Sequence, residues 1–215
     1  MTVSESMSST VAGAGEARLA GISAALLTGG SGTRLGRDKS HVPLAGIAVA
    51  TRMAGRLARI FEEVLLVGGA PPDDTPGRRV PDPPGPACAL RGVLGALEAA
   101  RGERVLVIAT DLPLVSDVLL LALVAWPEAD AVVPRAREGR HALCALLSCE
   151  RVEPVAKRRL AAGELALHGL FGEIGTAWLE GEDLARLDPD GLALTNMNTP
   201  EDLARVERRL TPAGA

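Results

Sequence analysis

Residues 25–39 read ALLTGGSGTRLGRDK, and this stretch decides how the rest of the chain is interpreted. An apolar run ends at Thr28 and no bulky side chain follows until Arg34, so the backbone can turn tightly and direct its N–H groups toward an anion. The cations Arg34, Arg37 and Lys39 follow within one loop, where they can neutralise a triphosphate or a departing pyrophosphate. The stretch therefore predicts a nucleotide-binding loop.

Two other glycine-rich nucleotide loops do not fit. A P-loop ends in Gly-Lys-Ser or Gly-Lys-Thr, whereas this loop carries Arg34 and Leu35 at the corresponding positions. The dinucleotide-binding loop requires an acidic residue about 20 residues or more downstream, at the end of the next strand. Here the next apolar run, residues 64–67, is followed by Gly68 and no acid. Both of these nucleotide-binding classes are therefore disfavoured.

A third pattern, Leu-x-Gly-Gly-x-x-x-Arg-x-Gly-x-Asp-Lys, fits at every position. It is the loop of nucleotidyltransferases with a mononucleotide-binding α/β fold. The matching residues are Leu27, Gly29, Gly30, Arg34, Gly36, Asp38 and Lys39.

Three later segments agree with this loop. Asp82 follows a short strand-like step, and Asp111 follows the apolar run 105–108. Asn198 lies in the segment Asn-Met-Asn-Thr-Pro-Glu-Asp-Leu, which begins the last helix. At this point the sequence resembles the molybdenum cofactor guanylyltransferase family, whose members attach GMP to molybdopterin. The resemblance extends over about residues 21–210.

The resemblance implies a three-layer, Rossmann-like nucleotide-diphospho-sugar transferase fold. It also implies that GMP is transferred from GTP to molybdopterin, with release of pyrophosphate and with Mg²⁺ as cofactor. The catalytic residues would be Arg34, Lys39 and Asp111. The nucleotide-binding residues would be Leu27, Thr28, Gly29, Gly30, Lys39, Gly68, Asp82, Asp111 and Asn198. Asp82 would lie on the nucleoside side, and Lys39 would contact the phosphates.

Two of these residues are the candidate metal ligands. Mg²⁺ prefers oxygen ligands and keeps several waters, which suits one carboxylate together with phosphate oxygens. We select Asp111 as that carboxylate and Asn198 as a further ligand of the metal or of the acceptor phosphate. Each has an alternative role, because Asp-Leu-Pro is also ordinary turn chemistry and Asn198 also suits a helix start.

The chain departs from the family pattern at three places. Gly68 stands where relatives can carry an Asn near the nucleotide. Residues 88–93, CALRGV, replace a common Gly-Pro-Leu-Ala-Gly-Ile, so that the nucleoside pocket can differ. Residues 141–143, HAL, replace a common Gln-Pro-Leu on the acceptor side. Two alternatives therefore stay open: a related cytidylyl or sugar-phosphate nucleotidyltransferase, and a non-catalytic nucleotide-binding protein that serves a protein partner.

Length and charge limit the other possibilities. The 215 residues fit one large domain, which we expect over residues 21–215 after a disordered tail at residues 1–20. The net charge of −4 disfavours nucleic acid as a partner. No apolar run is long enough to span a membrane, so we expect a cytoplasmic protein. Its substrates would be GTP and molybdopterin, and its protein partners molybdoenzymes or cofactor-delivery proteins.

Apolar runs alternate with helical patterns along the chain, which predicts an α/β fold. The runs are continuous rather than alternating, which indicates strands buried on both faces of a mostly parallel sheet. Strands are predicted at residues 22–27, 64–67, 105–109, 131–133 and 143–147. Helices are predicted at residues 49–61, 90–100, 118–125, 152–162 and 200–210.

Overall fold

The computed structural model describes residues 18–29, 38–136 and 139–210. The strands in these residues are β1 (Leu19–Leu27), β2 (Pro43–Leu44), β3 (Ile47–Ala48), β4 (Phe61–Val67), β5 (Arg78–Val80), β6 (Arg104–Ala109), β7 (Ala131–Ala136), β8 (Gly139–Arg140), β9 (Cys144–Ser148) and β10 (Thr176–Glu180). The helices are α1 (Val49–Ile60), α2 (Ala89–Ala99), α3 (Asp117–Val124), α4 (Cys149–Ala161), α5 (Leu167–Leu170), α6 (Gly181–Leu187) and α7 (Pro200–Leu210). A short 3-10 helix, Lys39–His41, precedes them.

One sheet organises the fold. Its strand order is β10-β7-β9-β6-β1-β4-β5, with β8 paired to β7. The neighbours β6, β1, β4 and β5 are parallel, and β10 is parallel to β7. Strand β9 runs antiparallel to both β6 and β7, so it separates two parallel groups that point the same way. The carboxyl ends of both groups therefore lie along one edge of the sheet.

Helices cover both faces of this sheet. In β1, Ala24 and Leu26 belong to one hydrophobic core, whereas Ala25 and Leu27 belong to the other. Helices α1, α3 and α7 pack into the first core, and α2, α4 and α5 into the second. This double burial explains the continuous apolar runs, because both faces of the central strands exclude water there. The predicted three-layer α/β fold with a mostly parallel sheet is confirmed.

The predicted elements all occur, with ends that differ by up to three residues. Strand β1 begins at Leu19, before the predicted start at residue 22 and within the last residues assigned to the tail. The hairpin β2–β3, the strands β8 and β10 and the helices α5 and α6 were not predicted. Strands of two residues and a helix of seven are too short to show a period. The limits of the predicted tail and domain stay a prediction.

The start of α7 is fixed by reciprocal hydrogen bonds. The Asp202 N–H donates to Thr199 Oγ1 at 3.1 Å. Asp202 Oδ2 in turn accepts from the N–H groups of Asn198 and Thr199, each at 3.0 Å. This arrangement is a capping box, in which the Thr199 and Asp202 side chains each accept from the backbone N–H of the other residue. It holds Asn198 at a defined position directly before the helix.

Candidate active site

A cleft of about 340 Å³ lies at the carboxyl ends of β1, β4 and β6. This is the place where open parallel sheets bind ligands, because loops leave the strands there. The cleft brings together six of the predicted site residues: Leu27, Thr28, Gly29, Lys39, Asp82 and Asp111. Its remaining lining residues are Val67, Ala87, Cys88, Ala89, Arg91, Gly92, Ala109, Thr110 and Leu143. Gly30 and Arg34 lie outside the described residues.

The floor of the cleft is a rigid junction between β1 and β4. The N–H groups of Thr28 and Gly29 both donate to the Val67 carbonyl, at 2.9 and 3.3 Å. The buried Thr28 hydroxyl donates to the Gly68 carbonyl at 2.5 Å. These donors are engaged within the sheet, so the N–H groups of an anion-binding loop would have to come from the residues that follow Gly29.

Gly68 lies beneath the Asp82 carboxylate rather than lining the cleft. Its φ is +66°, and a Cβ there would lie 2.7 and 2.8 Å from the two Asp82 oxygens. At Gly69, with φ +58°, a Cβ would approach the Thr28 carbonyl oxygen to 2.4 Å. Both positions therefore require glycine, for backbone conformation and for space. A side chain has no room at Gly68 while Asp82 occupies this position.

Lys39, Asn198 and Asp111 converge from three distant parts of the chain. Lys39 begins the short 3-10 helix, whose first turn is capped by Asp38. Its Nζ donates to Asn198 Oδ1 at 2.5 Å and lies 3.8 Å from Asp111 Oδ2. The Asp111 carbonyl accepts from the Met197 N–H at 2.7 Å, which ties the loop after β6 to the segment before α7. The sequence predicted these three side chains separately, and the fold joins them.

The Asp111 carboxylate is held in an unfavourable environment. Burial raises the pKa of Asp111, while the charges of Lys39 and His141 oppose that rise. Desolvation therefore outweighs the electrostatic attraction from these side chains. Burial disfavours the ionised form of this carboxylate, so a cation that binds beside it in the cleft would stabilise that form strongly.

This cluster could bind a divalent cation with only one or two ligands from the described residues. In the described parts of the chain, no group of three or more His, Cys, Asp or Glu side chains is placed to hold a metal ion. Mg²⁺ commonly uses one or two carboxylates together with phosphate oxygens, which Asp111 can provide. The Asn198 side-chain oxygen accepts from the Lys39 ammonium, so its use as a second ligand would place two cations on one oxygen. The structure thus fits Asp111 better than Asn198 as a metal ligand.

Arg91 is a cleft residue that the site prediction did not include. It lies in the first turn of α2, and its Nη2 donates to Asp82 Oδ2 at 3.1 Å. Its Nη1 donates to the Gly85 carbonyl at 2.6 Å. The signal that could have identified it was the departure of residues 88–93 from the family pattern, noted above from the sequence.

A second cleft, of about 480 Å³, opens at the carboxyl ends of β7 and β10. Arg135 pairs there with Glu180 and lies over the Trp178 ring, with its guanidinium carbon 5.4 Å from the ring centroid. The Asp188 carboxylate accepts backbone N–H bonds from Leu192 and Ala193. Its polar side chains are therefore bound within the protein.

None of the helices that the structure describes is long and apolar enough to cross a membrane.

Comparison with known proteins agrees with this architecture. Residues 24–173 match the family described as the MobA-like NTP transferase domain. A molybdenum cofactor guanylyltransferase from Cereibacter sphaeroides is 35% identical over 194 residues, which cover 86% of this chain and 95% of that protein. One from Rhodobacter capsulatus is 32% identical over 199 residues, covering 90% and 97%.

A solved structure shares the fold. The molybdopterin-guanine dinucleotide biosynthesis protein A from Archaeoglobus fulgidus superimposes with a TM-score of 0.74, at 21% identity over 87% of this chain and 97% of that chain. The family match covers more than half of the chain, and the two relatives exceed 30% identity over most of its length. The chain therefore belongs to the molybdenum cofactor guanylyltransferases of the MobA-like NTP transferase family, and is a nucleotidyltransferase.

Proposed function

We propose that the protein transfers GMP from GTP to molybdopterin, releasing pyrophosphate and forming the guanine dinucleotide of the cofactor. A phosphate oxygen of molybdopterin attacks the α-phosphorus of GTP, and the bond to the bridging oxygen of the β-phosphate breaks. The electron pair of that bond leaves with pyrophosphate. The observation that carries the proposal is the cluster of Lys39, Asn198 and Asp111 beside a nucleotide-sized cleft. The relatives' names supply the guanylyl group and the molybdenum cofactor as its acceptor, and GTP as the donor is part of the proposal.

Lys39 has the geometry of a phosphate-neutralising residue. Its ammonium is fixed between Asn198 and Asp111 by contacts of 2.5 and 3.8 Å, so little reorganisation is needed when phosphate arrives. Charge accumulates on the leaving pyrophosphate, and a preorganised cation stabilises that charge. The acceptor phosphate is already anionic at neutral pH and requires no general base. Arg34 would add a second cation from the loop after Gly29.

Asp111 would hold Mg²⁺ together with the nucleotide phosphates. The bound ion would supply additional positive charge toward the phosphate oxygens. Asp111 itself keeps a carboxylate at this position and orients Lys39. Asn198 positions Lys39 through its side-chain oxygen, and its own place before α7 suits the orientation of a phosphate near a helix N-terminus. Its role as a metal ligand stays a prediction.

Pyrophosphate release with each nucleotide tests the proposal directly. Purified protein is incubated with Mg²⁺, molybdopterin and GTP, CTP, ATP or UTP in separate reactions, and pyrophosphate and the dinucleotide product are measured. We expect both products with GTP. Product with CTP alone would make the protein a cytidylyltransferase, and no pyrophosphate with any nucleotide would contradict the proposal.

Two variants assign the activity to the cleft. Lys39→Ala should lose most of the pyrophosphate release. Asp183→Asn removes a carboxylate that pairs with Arg186 on α6, away from the cluster, and should retain it. The proposal places this reaction in the cytoplasm, where nucleoside triphosphates are available. Delivery of the product to molybdoenzymes or cofactor-delivery proteins belongs to the same proposal.

A further inference from the structure

The Asp82–Arg91 pair lies on the opposite side of β1 from the phosphate-binding cluster. Asp82 follows β5 and Asp111 follows β6, and β1 and β4 separate those two strands in the sheet. The pair is partly buried, with 27% of the Asp82 side chain and 21% of the Arg91 side chain exposed. Around it the cleft is lined by the small residues Ala87, Cys88, Ala89 and Gly92. A flat base fits such a surface, and the charged pair is the strongest polar feature that the described residues place beside it.

The orientation of the Asp82 carboxylate is fixed from several directions. Gly29 and Gly68 lie against it without side chains, since a Cβ would be 3.5 Å from Oδ2 at Gly29 and 2.8 Å from Oδ1 at Gly68. A Cβ at Gly92 would be 3.8 Å from Oδ1. Arg91 holds Oδ2 from the remaining side at 3.1 Å. The carboxylate is therefore a positioned acceptor whose partner is supplied by this chain's own arginine.

The guanidinium of Arg91 retains donors beyond its structural contacts. Each Nη nitrogen carries two N–H groups, so the bonds to Asp82 and Gly85 leave one on each. The Nε of Arg91 is buried and has no hydrogen-bond partner among the described residues. That buried Nε adds to the free-energy cost of holding the guanidinium beside Asp82.

The remaining N–H groups of Arg91 and the two oxygens of Asp82 form a donor beside two acceptors, and this combination discriminates among nucleobases. The guanine edge offers the O6 acceptor followed by the N1–H and 2-amino donors. It can therefore accept from Arg91 and donate to both Asp82 oxygens. Cytosine offers a donor followed by two acceptors, so the lone pairs of its acceptors would face the lone pairs of the Asp82 carboxylate and repel them. Adenine lacks the two adjacent donors. A mismatched polar edge leaves buried groups unpaired, which is the usual source of strong discrimination.

We propose that Arg91 is a specificity-determining residue, which together with Asp82 recognises the edge of guanine in the bound nucleotide. This inference rests on the proposed function, because it concerns the nucleotide of that same reaction. Arg91 acts both through its own N–H groups and through the carboxylate that it positions.

Nucleotide binding by calorimetry tests the inference without the acceptor. GTP, ITP, which lacks the 2-amino group, and CTP are titrated with Mg²⁺ into the wild type, Arg91→Ala, Arg91→Lys, Asp82→Asn and the double variant Arg91→Ala/Asp82→Asn. We expect the wild type to prefer GTP over both others. Arg91→Ala should weaken GTP binding roughly 10-fold and leave CTP binding nearly unchanged. Arg91→Lys should restore part of the loss, because it keeps the charge but has no planar fork.

The double variant separates specificity from packing. If the two residues act as a unit, Arg91→Ala/Asp82→Asn should bind GTP about as weakly as Asp82→Asn alone. Arg151→Ala is the matched control, since Arg151 pairs with Glu128 and Asp130 at the other edge of the sheet. It should leave every affinity unchanged. A wild type that binds no triphosphate would contradict the proposed function. A wild type that binds GTP without preference, or an Arg91→Ala variant that keeps the wild-type preference, would overturn only this inference.

Discussion

The two clefts along the carboxyl edge of the sheet treat their charged residues differently. In the cleft at β1, β4 and β6, burial raises the pKa of Asp111, and the buried Arg91 Nε has no partner within the described residues. In the cleft at β7 and β10, Arg135 is paired with Glu180, and Asp188 accepts two backbone hydrogen bonds. The first cleft thus keeps polar groups in costly states, whereas the second satisfies them.

This difference separates residues retained for binding from residues retained for stability. A polar group held at a cost contributes little to folding, so its removal should alter ligand binding and leave stability unchanged or improved. A satisfied group contributes to folding, and its removal should lower stability. Paired substitutions in the two clefts can therefore test the assignment of the active site.

The largest effect is expected at Lys39. Lys39→Ala should reduce GMP transfer roughly 100-fold, because a preorganised cation at the phosphates is lost. The melting temperature should also fall, because the change leaves Asn198 Oδ1 without its donor and Asp111 without its paired cation. Arg135→Ala in the second cleft should lower stability alone and leave GTP affinity unchanged. Calorimetric titration with GTP and thermal denaturation of both variants provide the measurements.

An unchanged GTP affinity in Lys39→Ala, together with normal transfer, would remove Lys39 from the site. If Arg135→Ala instead weakened GTP binding as strongly as Lys39→Ala, the distinction between the two clefts would fail.

A smaller effect is expected in the rate of thiol labelling, which compares a cysteine of the first cleft with two cysteines outside it. Cys88 is half-buried and lines the first cleft, whereas burial raises the pKa of the Cys144 thiol to about 12. Burial also raises the pKa of Cys149, to about 11. A thiol reagent near pH 8 should therefore modify Cys88 first, because the thiolate is the reactive form. Bound GTP with Mg²⁺ should slow this reaction roughly 10-fold, which mass spectrometry of the labelled peptides can follow.

Cys88→Ser is the control, and it should abolish the fast phase of labelling. Equal labelling rates at Cys88 with and without saturating GTP would show that the nucleotide does not occupy the first cleft.

The sequence was most informative in the first half of the sheet. Strands β1, β4 and β6 end in continuous apolar runs because both faces are buried there, and these runs are visible without any partner strand. The direction of β9 was not visible, because antiparallel pairing depends on which strands adjoin it. Strand β10 lies at the edge with only partial burial, so its pattern is weak.

Individual site residues could be predicted, but their partners could not. The spacing in residues 25–39 identified Lys39, and the turn after β6 identified Asp111. No local pattern indicates that Lys39 and Asn198, 159 residues apart, form a hydrogen bond. Arg91 was missed because a single arginine in a helix is ordinarily a surface residue, and only the fold brings it against Asp82.

Asp111→Asn should modestly increase the stability of the folded protein. The pKa of Asp111 is raised in the folded protein by burial, so its ionisation opposes folding at neutral pH. The asparagine variant should melt a few degrees higher at pH 7 in the absence of Mg²⁺. The gain should be complete above the raised pKa, and it should disappear as pH falls toward the ordinary value for Asp in the unfolded chain.

Magnesium dependence gives the functional side of this prediction. Residual activity of Asp111→Asn should require more Mg²⁺ for half-saturation, since a ligand oxygen has lost its charge. Asp130→Asn is the control, because the Asp130 carboxylate accepts the Gly175 N–H at 2.7 Å and pairs with Arg151, so its loss should lower stability. Reduced stability of Asp111→Asn at pH 7, with an unchanged magnesium requirement, would make Asp111 a turn residue.

The smallest effect concerns the cap that holds Asn198. Asp202→Ala removes the acceptor of two backbone N–H groups and should destabilise the protein by about 1 kcal/mol. Those hydrogen bonds lower the pKa of Asp202. Its contribution to stability should therefore be present above the unfolded pKa of Asp and should be lost as pH falls through the lowered pKa.

Because the cap also positions Asn198, transfer should slow by a few fold while GTP affinity is largely kept. Denaturant unfolding at pH 7 and pH 3 and steady-state kinetics measure both effects. Asp183→Asn, whose carboxylate pairs with Arg186 on α6, is the control. Normal kinetics with lower stability would restrict the capping box to a structural role and leave Lys39 to hold Asn198 in place.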